Sequence, residues 1–375
     1  MIKGIELSVL FGPGVPVPAP RAVIEALQSV SVQENSGDAP SGFELVFALE
    51  KSSPLNTIFL LAGGGALPIL RVALTATING QPTTLINGVV THTELKPGSG
   101  GAPATLKVMG RDLTATMEII DFSGLPYVAM PPFARVALIL AKYAWLGVIP
   151  QVIPSAEGPP LPTERIPRHQ DTDLAYIRHL ADEAGYTFYL KPGPAPATSF
   201  AYWGPEIRIG QVQSALTVES GFATNVEELS FTFDKDGTEI PIVFIQNPLT
   251  KAPVPIPIPS AIPFHPPLGA IPPLPPKIAR LTDTARLNPF EAVVRGFAHA
   301  ARHSDAVRGS GRIDVLRYGR ILRARSLIGV RGAGNAFDGV HYVESVTHEL
   351  ARGSYKQSFT LKRSGLLPTQ PAVPA

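Results

Sequence analysis

Phe43-Glu44-Leu45-Val46-Phe47-Ala48-Leu49-Glu50 places Phe43, Leu45, Phe47 and Leu49 on one face of an extended chain. A period of two with a single apolar face marks a strand that covers a core on one side. Moving outward, Val72, Leu74, Ala76 and Ile78 repeat the pattern and end at the turn Asn79-Gly80, and Leu106 and Val108 continue it. Antiparallel strands around a core follow, so residues 1–118 are read as a first small β-barrel or sandwich.

From Gly110 the character changes. Arg111 to Met117 reads as a short helical turn, and Phe133 to Trp145 has helical spacing, with Val136, Ile139, Leu140 and Tyr143 on one side. Asp171 to Gly185 is a clearer helix. Asp171 or Thr172 caps it, Leu174, Ile177, Leu180 and Ala181 form its stripe, and Gly185 stops it. Thr187 to Leu190 returns to strand. Residues 119–205 are therefore a mixed α/β insert.

Strands then resume. Leu229, Phe231 and Phe233 alternate before Asp234-Lys235-Asp236-Gly237, and Ile240 to Ile245 is read as the return strand of a hairpin. Residues 253–277 carry proline at nearly every second or third position, which predicts an extended surface insertion. A helix over 289–304 and three more strands complete a second barrel from 206–252 and 278–365, ahead of a flexible tail at 366–375. The fold class expected is mainly β, with two related small barrels separated by a mixed helical insert.

Composition narrows the function. The 375 residues include 40 prolines and 34 glycines, which disfavours long interior helices, and no cysteine, which excludes disulfides and thiolate metal sites. A net charge of +2 is too small for a dedicated phosphate-binding surface. After Met1-Ile2-Lys3 the chain runs straight into a strand pattern, with no secretory signal. Two apolar runs, Thr57 to Leu74 and Phe133 to Ile149, are broken by glycine and proline or by Arg135 and Lys142. A charge at mid-bilayer costs ~2.5–3.5 kcal/mol, so no stable membrane insertion is expected.

Candidate chemistry is sparse. His299 and His303 stand four apart on one helix face and could ligate zinc, but no third ligand is evident nearby. His348-Glu349-Leu350-Ala351-Arg352 starts like a metalloprotease motif, then has arginine where the second histidine belongs, in a strand context. Gly63-Gly64-Gly65 and Gly332-Ala333-Gly334 lack the lysine of a phosphate loop and read as turns. Asp171, Asp173, Asp182 and Glu183 cluster, as a glycosidase pair might require, but fit helix capping and solvation. No catalytic residue, metal or cofactor is expected. Arg308, Arg312, Arg317, Arg320, Arg323, Arg325 and Arg331 form a basic stretch. Arg317, Arg320, Arg323 and Arg325 are candidates for an inner lumen or a subunit interface.

The C-terminal succession Tyr318-Gly319-Arg320-Ile321-Leu322, Ile328-Gly329-Val330-Arg331-Gly332, Phe337-Asp338-Gly339-Val340-His341-Tyr342-Val343, His348, Gly353-Ser354-Tyr355 and Phe359-Thr360-Leu361-Lys362-Arg363 resembles the end of the phage late control protein D family. That family includes the T-even baseplate hub and the hub half of type VI secretion spike proteins. Gly88-Val89-Val90-Thr91-His92 with Val108-Met109-Gly110-Arg111-Asp112 is similar to the end of the family's first barrel. His169 to Ile177, leading into Ala184-Gly185-Tyr186, looks like its insert. The signature positions carried over are Gly110, Asp112, Asp171, Gly185, Tyr318, Gly332, Phe337, Gly339, Tyr342, Gly353, Tyr355, Phe359 and Arg363.

The resemblance implies a non-catalytic homotrimer whose doubled barrels form a pseudo-sixfold ring between a tail tube and a threefold spike. Its implied partners are a spike protein, a tail tube or tube-initiator protein, other baseplate proteins and cargo in the lumen. The implied setting is assembly in the bacterial cytoplasm, then a virion tail or an extracellular injection particle. The spike proteins of the family continue into further domains that this sequence lacks. Two alternatives stay open: a tail-associated cell-wall hydrolase, and a module binding a host surface or an effector through the proline-rich loop.

Overall fold

A computed structural model describes residues 4–49, 69–98, 103–155, 158–163, 166–218, 221–236, 238–246, 252–258, 266–274, 277–281 and 289–370. Gly63-Gly64-Gly65, the turn residue Gly237 and the last five residues lie outside them.

In the first part come β1 (Ile5–Pro13), β2 (Val17–Pro18), α1 (Arg21–Ala26), β3 (Leu27–Asn35), β4 (Gly42–Leu49), β5 (Leu70–Ile78), β6 (Gln81–Lys96) and β7 (Ala104–Asp112). A 3-10 turn, Leu113–Glu118, leads to α2 (Pro132–Ala141), β8 (Val148–Val152), α3 (Asp173–Ala184), β9 (Thr187–Pro192) and β10 (Ser199–Gly204). Then follow β11 (Val212–Thr217), β12 (Glu228–Phe233), β13 (Glu239–Gln246), β14 (Pro253–Pro257), β15 (Gly269–Ile271), β16 (Lys277–Leu281) and α4 (Pro289–Arg302). The chain closes with β17 (Val307–Asp314), α5 (Val315–Tyr318), β18 (Leu327–Arg331), β19 (Gly339–Ala351), β20 (Ser354–Arg363) and β21 (Leu366–Pro368).

One strand plan is used twice. The chain order β3, β4, β5, β6, β7 becomes the sheet order β3-β4-β7-β6-β5. The chain order β12, β17, β18, β19, β20 becomes β12-β17-β20-β19-β18. Every neighbouring pair in both sets is antiparallel. Even the irregularity recurs. The β6–β7 ladder skips Thr91, between Val90 and His92, and the β19–β20 ladder skips Glu344, between Val343 and Ser345. A bulge at one place in a repeated topology is a designed bend. It also aligns the halves: Val32 pairs Phe43, which pairs Gly110, while Phe231 pairs Gly309, which pairs Leu361.

The doubling expected from the sequence is therefore present as topology, but two separate closed barrels are not. Both halves belong to one 13-stranded sheet, joined where Asn35 to Ser29 of β3 pairs Ser345 to Ala351 of β19. The reason is length. On that edge, β18 covers only Gly339 to Tyr342 of the 13-residue β19. The bare backbone beyond it needs hydrogen-bond partners, and β3 supplies them.

The clearer helix of the middle region forms as read. Thr172 accepts from Ala175 N at the start of α3, and Gly185, at φ 70°, ends it. Leu174, Ile177, Leu180 and Ala181 pack with Phe188, Trp203, Val136, Ile139 and Leu140 over the three-stranded sheet β8-β10-β9. Val89, Leu113 and Met117 join that same core, so the insert is fused to the first half.

Other expectations are corrected. β12 and β13 do not form a hairpin. Leu229 and Phe231 of β12 pack on the core of the second half, whereas Val243 and Ile245 of β13 pack with α4 residues in a small separate core. Two cores pull the strands apart, and β13 pairs with β14 and β16 instead. Four strands, not three, follow α4 before the short β21. Residues 366–368 are no free tail, because Leu366 and Pro368 pair Ile271 and Gly269. In the described parts of the proline-rich segment, β14 and β15 take edge positions, as proline's missing N–H demands, and Ile258 and Leu268 are buried.

Candidate assembly site at the joint between the halves

The β3–β19 pairing is reinforced by side chains. The buried Glu34 forms an ion pair with Arg323 at 2.9 Å and accepts from the backbone N–H of Ala324 at 3.3 Å, and Arg323 also donates to the Thr84 carbonyl at 2.8 Å. Beneath lies a sealed polar network. The Tyr355 hydroxyl donates to His348 Nδ1 at 2.7 Å, and Gln357 both donates to the Leu322 carbonyl and accepts from the Leu322 N–H. Burial pushes His348 down to about 4 and raises the Tyr355 phenol. His348 is thus neutral and accepts through Nδ1, and neither group reaches solvent. The near-metalloprotease motif is a β-strand core residue.

The signature positions are structural. A Cβ at Gly110 would stand 2.3 Å from Phe43 Cζ and from the Val89 carbonyl oxygen. Asp112, buried, caps the 3-10 turn by accepting from Thr114 N and also accepts from Ser41 N, both at 3.0 Å, while burial raises its carboxyl. Asp171, at φ 64°, receives Thr172 N at 2.7 Å. Gly185 lies against Ala298, joining α3 to α4. Tyr318 donates to the Ser214 carbonyl at 2.6 Å.

The remaining signature residues shape the end of the chain. Gly332 and Gly339 hold left-handed conformations at φ 83° and 109°, pressed against Val218 and Pro368, and Gly353 turns β19 into β20 at φ 78°. Phe337 stacks on Phe231 with centroids 5.1 Å apart. Arg363 is buried and donates to the carbonyls of Gly365 and Asp338, both at 2.8 Å, fastening the loop before β19. Phe359 is core, and Tyr342 lies under the Arg208 guanidinium at 4.9 Å.

The basic stretch divides. Arg323 is committed to Glu34, and Arg325, at φ 59°, covers the Tyr189 ring at 4.3 Å. Arg312 pairs Glu349 and Glu227. Arg317 and Arg320 are exposed. The four clustered acids go separate ways. Asp173 is buried and bonded by His169 at 2.9 Å, Lys142 at 2.6 Å and Tyr143 at 2.7 Å; Asp182 meets Arg302; Glu183 lies 3.4 Å from His179.

Sequence reading missed a partner for the histidines. Glu239, 60 residues before His299 in the chain, brings Oε2 to 2.9 Å from His299 Nε2. Only tertiary structure brings these residues together, since β13 was expected to pair back on β12.

No family model and no curated protein sequence matches the chain. Solved structures do. A tail protein from Neisseria meningitidis is 15% identical with a TM-score of 0.62, covering 97% of this chain and 98% of that one. The prophage MuSo2 tail protein from Shewanella oneidensis is 15% identical at 0.57, covering 98% of this chain and 100% of that one. A chain of the Francisella PdpA–VgrG complex is 9% identical at 0.60, and the match covers 100% of this chain and 60% of that one. The chain therefore has the fold seen in phage tail proteins and in a VgrG complex.

Proposed function

We propose that the chain is a structural subunit of the baseplate hub of a contractile tail or tail-like injection system. In this reading it forms a homotrimer that presents six similar units, joins the tail tube to the spike and performs no catalysis. The single observation that carries it is the repeated strand plan joined edge to edge by β3 on β19.

Within the chain, the first strand of one repeat covers the bare edge of the bulged strand of the other. The same edge is open on β6. Among the described residues, β5 covers β6 only as far as Val89, and no strand pairs β6 on that side beyond it. The outer edge of β12 is likewise without a strand partner among them. β12 of one copy laid on the end of β6 of the next repeats the internal joint. Phe231 then lies opposite Leu95, as Val32 lies opposite His348. Three chains joined in this way close a ring of six units, and ring closure removes the exposed edges.

The whole-chain likeness to two tail proteins supports the setting. So does the signature pattern, whose residues serve turns and packing. Of the four arginines expected at a lumen or interface, Arg317 and Arg320 are exposed and are the two left to face one. Among the described residues no helix is long and apolar enough to cross a membrane. The proposed division is 1–118 and 206–365 as the repeated units, with 119–205 as the insert and 253–277 as an insertion in the second unit.

Co-expression with the neighbouring tube and spike genes, followed by mass measurement in solution, tests this reading. A trimer that co-purifies with either partner is expected. A chain that stays monomeric and unbound with both partners present would overturn it.

A further inference from the structure

His299 in the last turn of α4 and His303 just past its end stand one turn apart, with rings stacked at 4.2 Å between centroids and 24° between planes. The carboxylate of Glu239, at the start of β13, reaches the same spot, and the candidate ligand atoms of the three residues lie within 4.8 Å of one another. We propose that Glu239, His299 and His303 form a binding site for a first-row divalent cation, zinc above all, which staples α4 to β13.

Four observations carry it. First, the ligand set is right: two imidazoles and one carboxylate are a common zinc triad. Second, the spacing is near. Bonds of about 2.0–2.1 Å in a tetrahedral site hold ligand atoms about 3.3 Å apart. His299 Nε2 and Glu239 Oε2, at 2.9 Å, already stand at that scale.

Third, the second histidine is pre-set. His303 Nδ1 lies 3.0 Å from the His299 carbonyl oxygen, to which it donates. That bond fixes the tautomer with a lone pair on Nε2, as outer-shell carbonyls do for metal-binding histidines. Fourth, the backbone is braced, because Glu239 N donates to the His303 carbonyl at 3.2 Å. All three residues are partly exposed, so the fourth position is open to water.

The site also answers a local need. Among the described residues, the core beneath α4 and the β14-β13-β16 sheet has Val243, Ile258 and Ala292 as its buried members. Binding energy of a cation that ties the helix to the sheet adds directly to the stability of that unit.

The experiment uses the untagged full-length protein, stripped with chelator and titrated with zinc chloride by calorimetry. Cobalt(II) serves as the spectroscopic probe. One equivalent per chain, the intense visible bands of tetrahedral cobalt and a raised melting temperature are expected. Glu239→Gln and His303→Gln should each weaken binding by about tenfold or more, with metal-free melting close to the parent. No uptake of zinc or cobalt by folded parent protein would overturn the site. So would uptake that persists in a His299→Gln/His303→Gln double variant. Should the variants melt early, the cobalt spectrum of the parent decides: octahedral, oxygen-only bands refute it.

Discussion

Thr91 and Glu344 are equivalent residues: each is the one position left out of a ladder at the same point of a repeated sheet. Among the described residues no strand pairs the side of β6 away from β7 beyond Thr91, whereas beyond Glu344 the matching side of β19 carries β3. The serine after Asn35 marks the switch, since Ser36 N donates to the Glu344 carbonyl at 2.7 Å. The bulge turns β19 from its short partner β18 to its long-range partner β3. One chain thus displays both a used and an unused copy of the same joint.

Gly110 and Gly353 should respond very differently to alanine. At Gly110 the added Cβ meets the Phe43 ring and a backbone oxygen of a paired strand, neither of which can retreat. Gly110→Ala is expected to cost about 2–3 kcal/mol by overpacking. Gly353 needs only its positive φ, with open space around it, so Gly353→Ala should cost about 1 kcal/mol. Urea midpoints of the two variants check the order.

Acid should weaken the fold through its buried histidines. Burial lowers His348 to about 4 and His341 to about 3, from 6.5 when unfolded. Above pH 6.5 both states are neutral and the contribution is complete. Below it the unfolded chain binds protons first, so stability falls as pH drops from 6.5 towards 4, by on the order of 3 kcal/mol for His348. Asp112, whose carboxyl is raised by burial, acts in the opposite sense, gaining as pH falls through its raised value. The loss of urea midpoint between pH 7 and pH 5 should shrink in a His341→Gln/His348→Gln variant. An unchanged loss would place the acid sensitivity elsewhere.

How much of this was legible in the sequence depended on contact range. α3 was readable to within a residue or two at each end, because Thr172, the stripe from Leu174 to Ala181 and Gly185 are all local signals. The strands of the first half were readable from period-two burial, which β4 shows from end to end. Pairing was not. Nothing local says that Phe233 should sit opposite Val307 and leave Ile240 to another sheet. The β3–β19 joint spans over 300 residues and is made by backbone groups that every sequence has. The Glu239–His299–His303 cluster was half visible, as two histidines at helical spacing. Its carboxylate stands on a strand that short-range turn signals assigned to the wrong partner.

Arg208 should be a site where one substitution is worse than two. Its guanidinium, buried, meets both carboxylate oxygens of Asp305 at 2.6 Å and lies over Tyr342. Arg208→Met removes both of these bonds from the Asp305 carboxylate, which keeps Lys362 at 3.7 Å. A cost of about 3–5 kcal/mol is expected. Adding Asp305→Leu should recover a good part of it, since a buried pair can be replaced by apolar groups at little cost. A double-mutant cycle from urea melts reads the coupling. If the two costs simply add, the pair is not coupled as drawn.

The ring proposal makes a prediction at residue level, and the absence of cysteine makes it clean to test. Thr232 and Glu94 are both exposed, and the internal joint fixes how they should meet. Gln33 lies opposite Thr347 in the β3–β19 ladder. The bulge-to-bulge alignment carries Thr347 onto Glu94, and the strand alignment carries Gln33 onto Thr232. Directly opposed residues on antiparallel strands have Cα atoms about 4.5–5.5 Å apart, within reach of a disulfide. A chain bearing Thr232→Cys and Glu94→Cys, oxidised after assembly with its tube and spike partners, should give covalently linked dimers and trimers. Either cysteine alone should give neither trimers nor more than background dimers. Oxidised trimers would fix the seam as β12 on β6. An intact assembled trimer without cross-links would keep the oligomer but put its seam on another surface, and the internal joint would then be no guide to the external one.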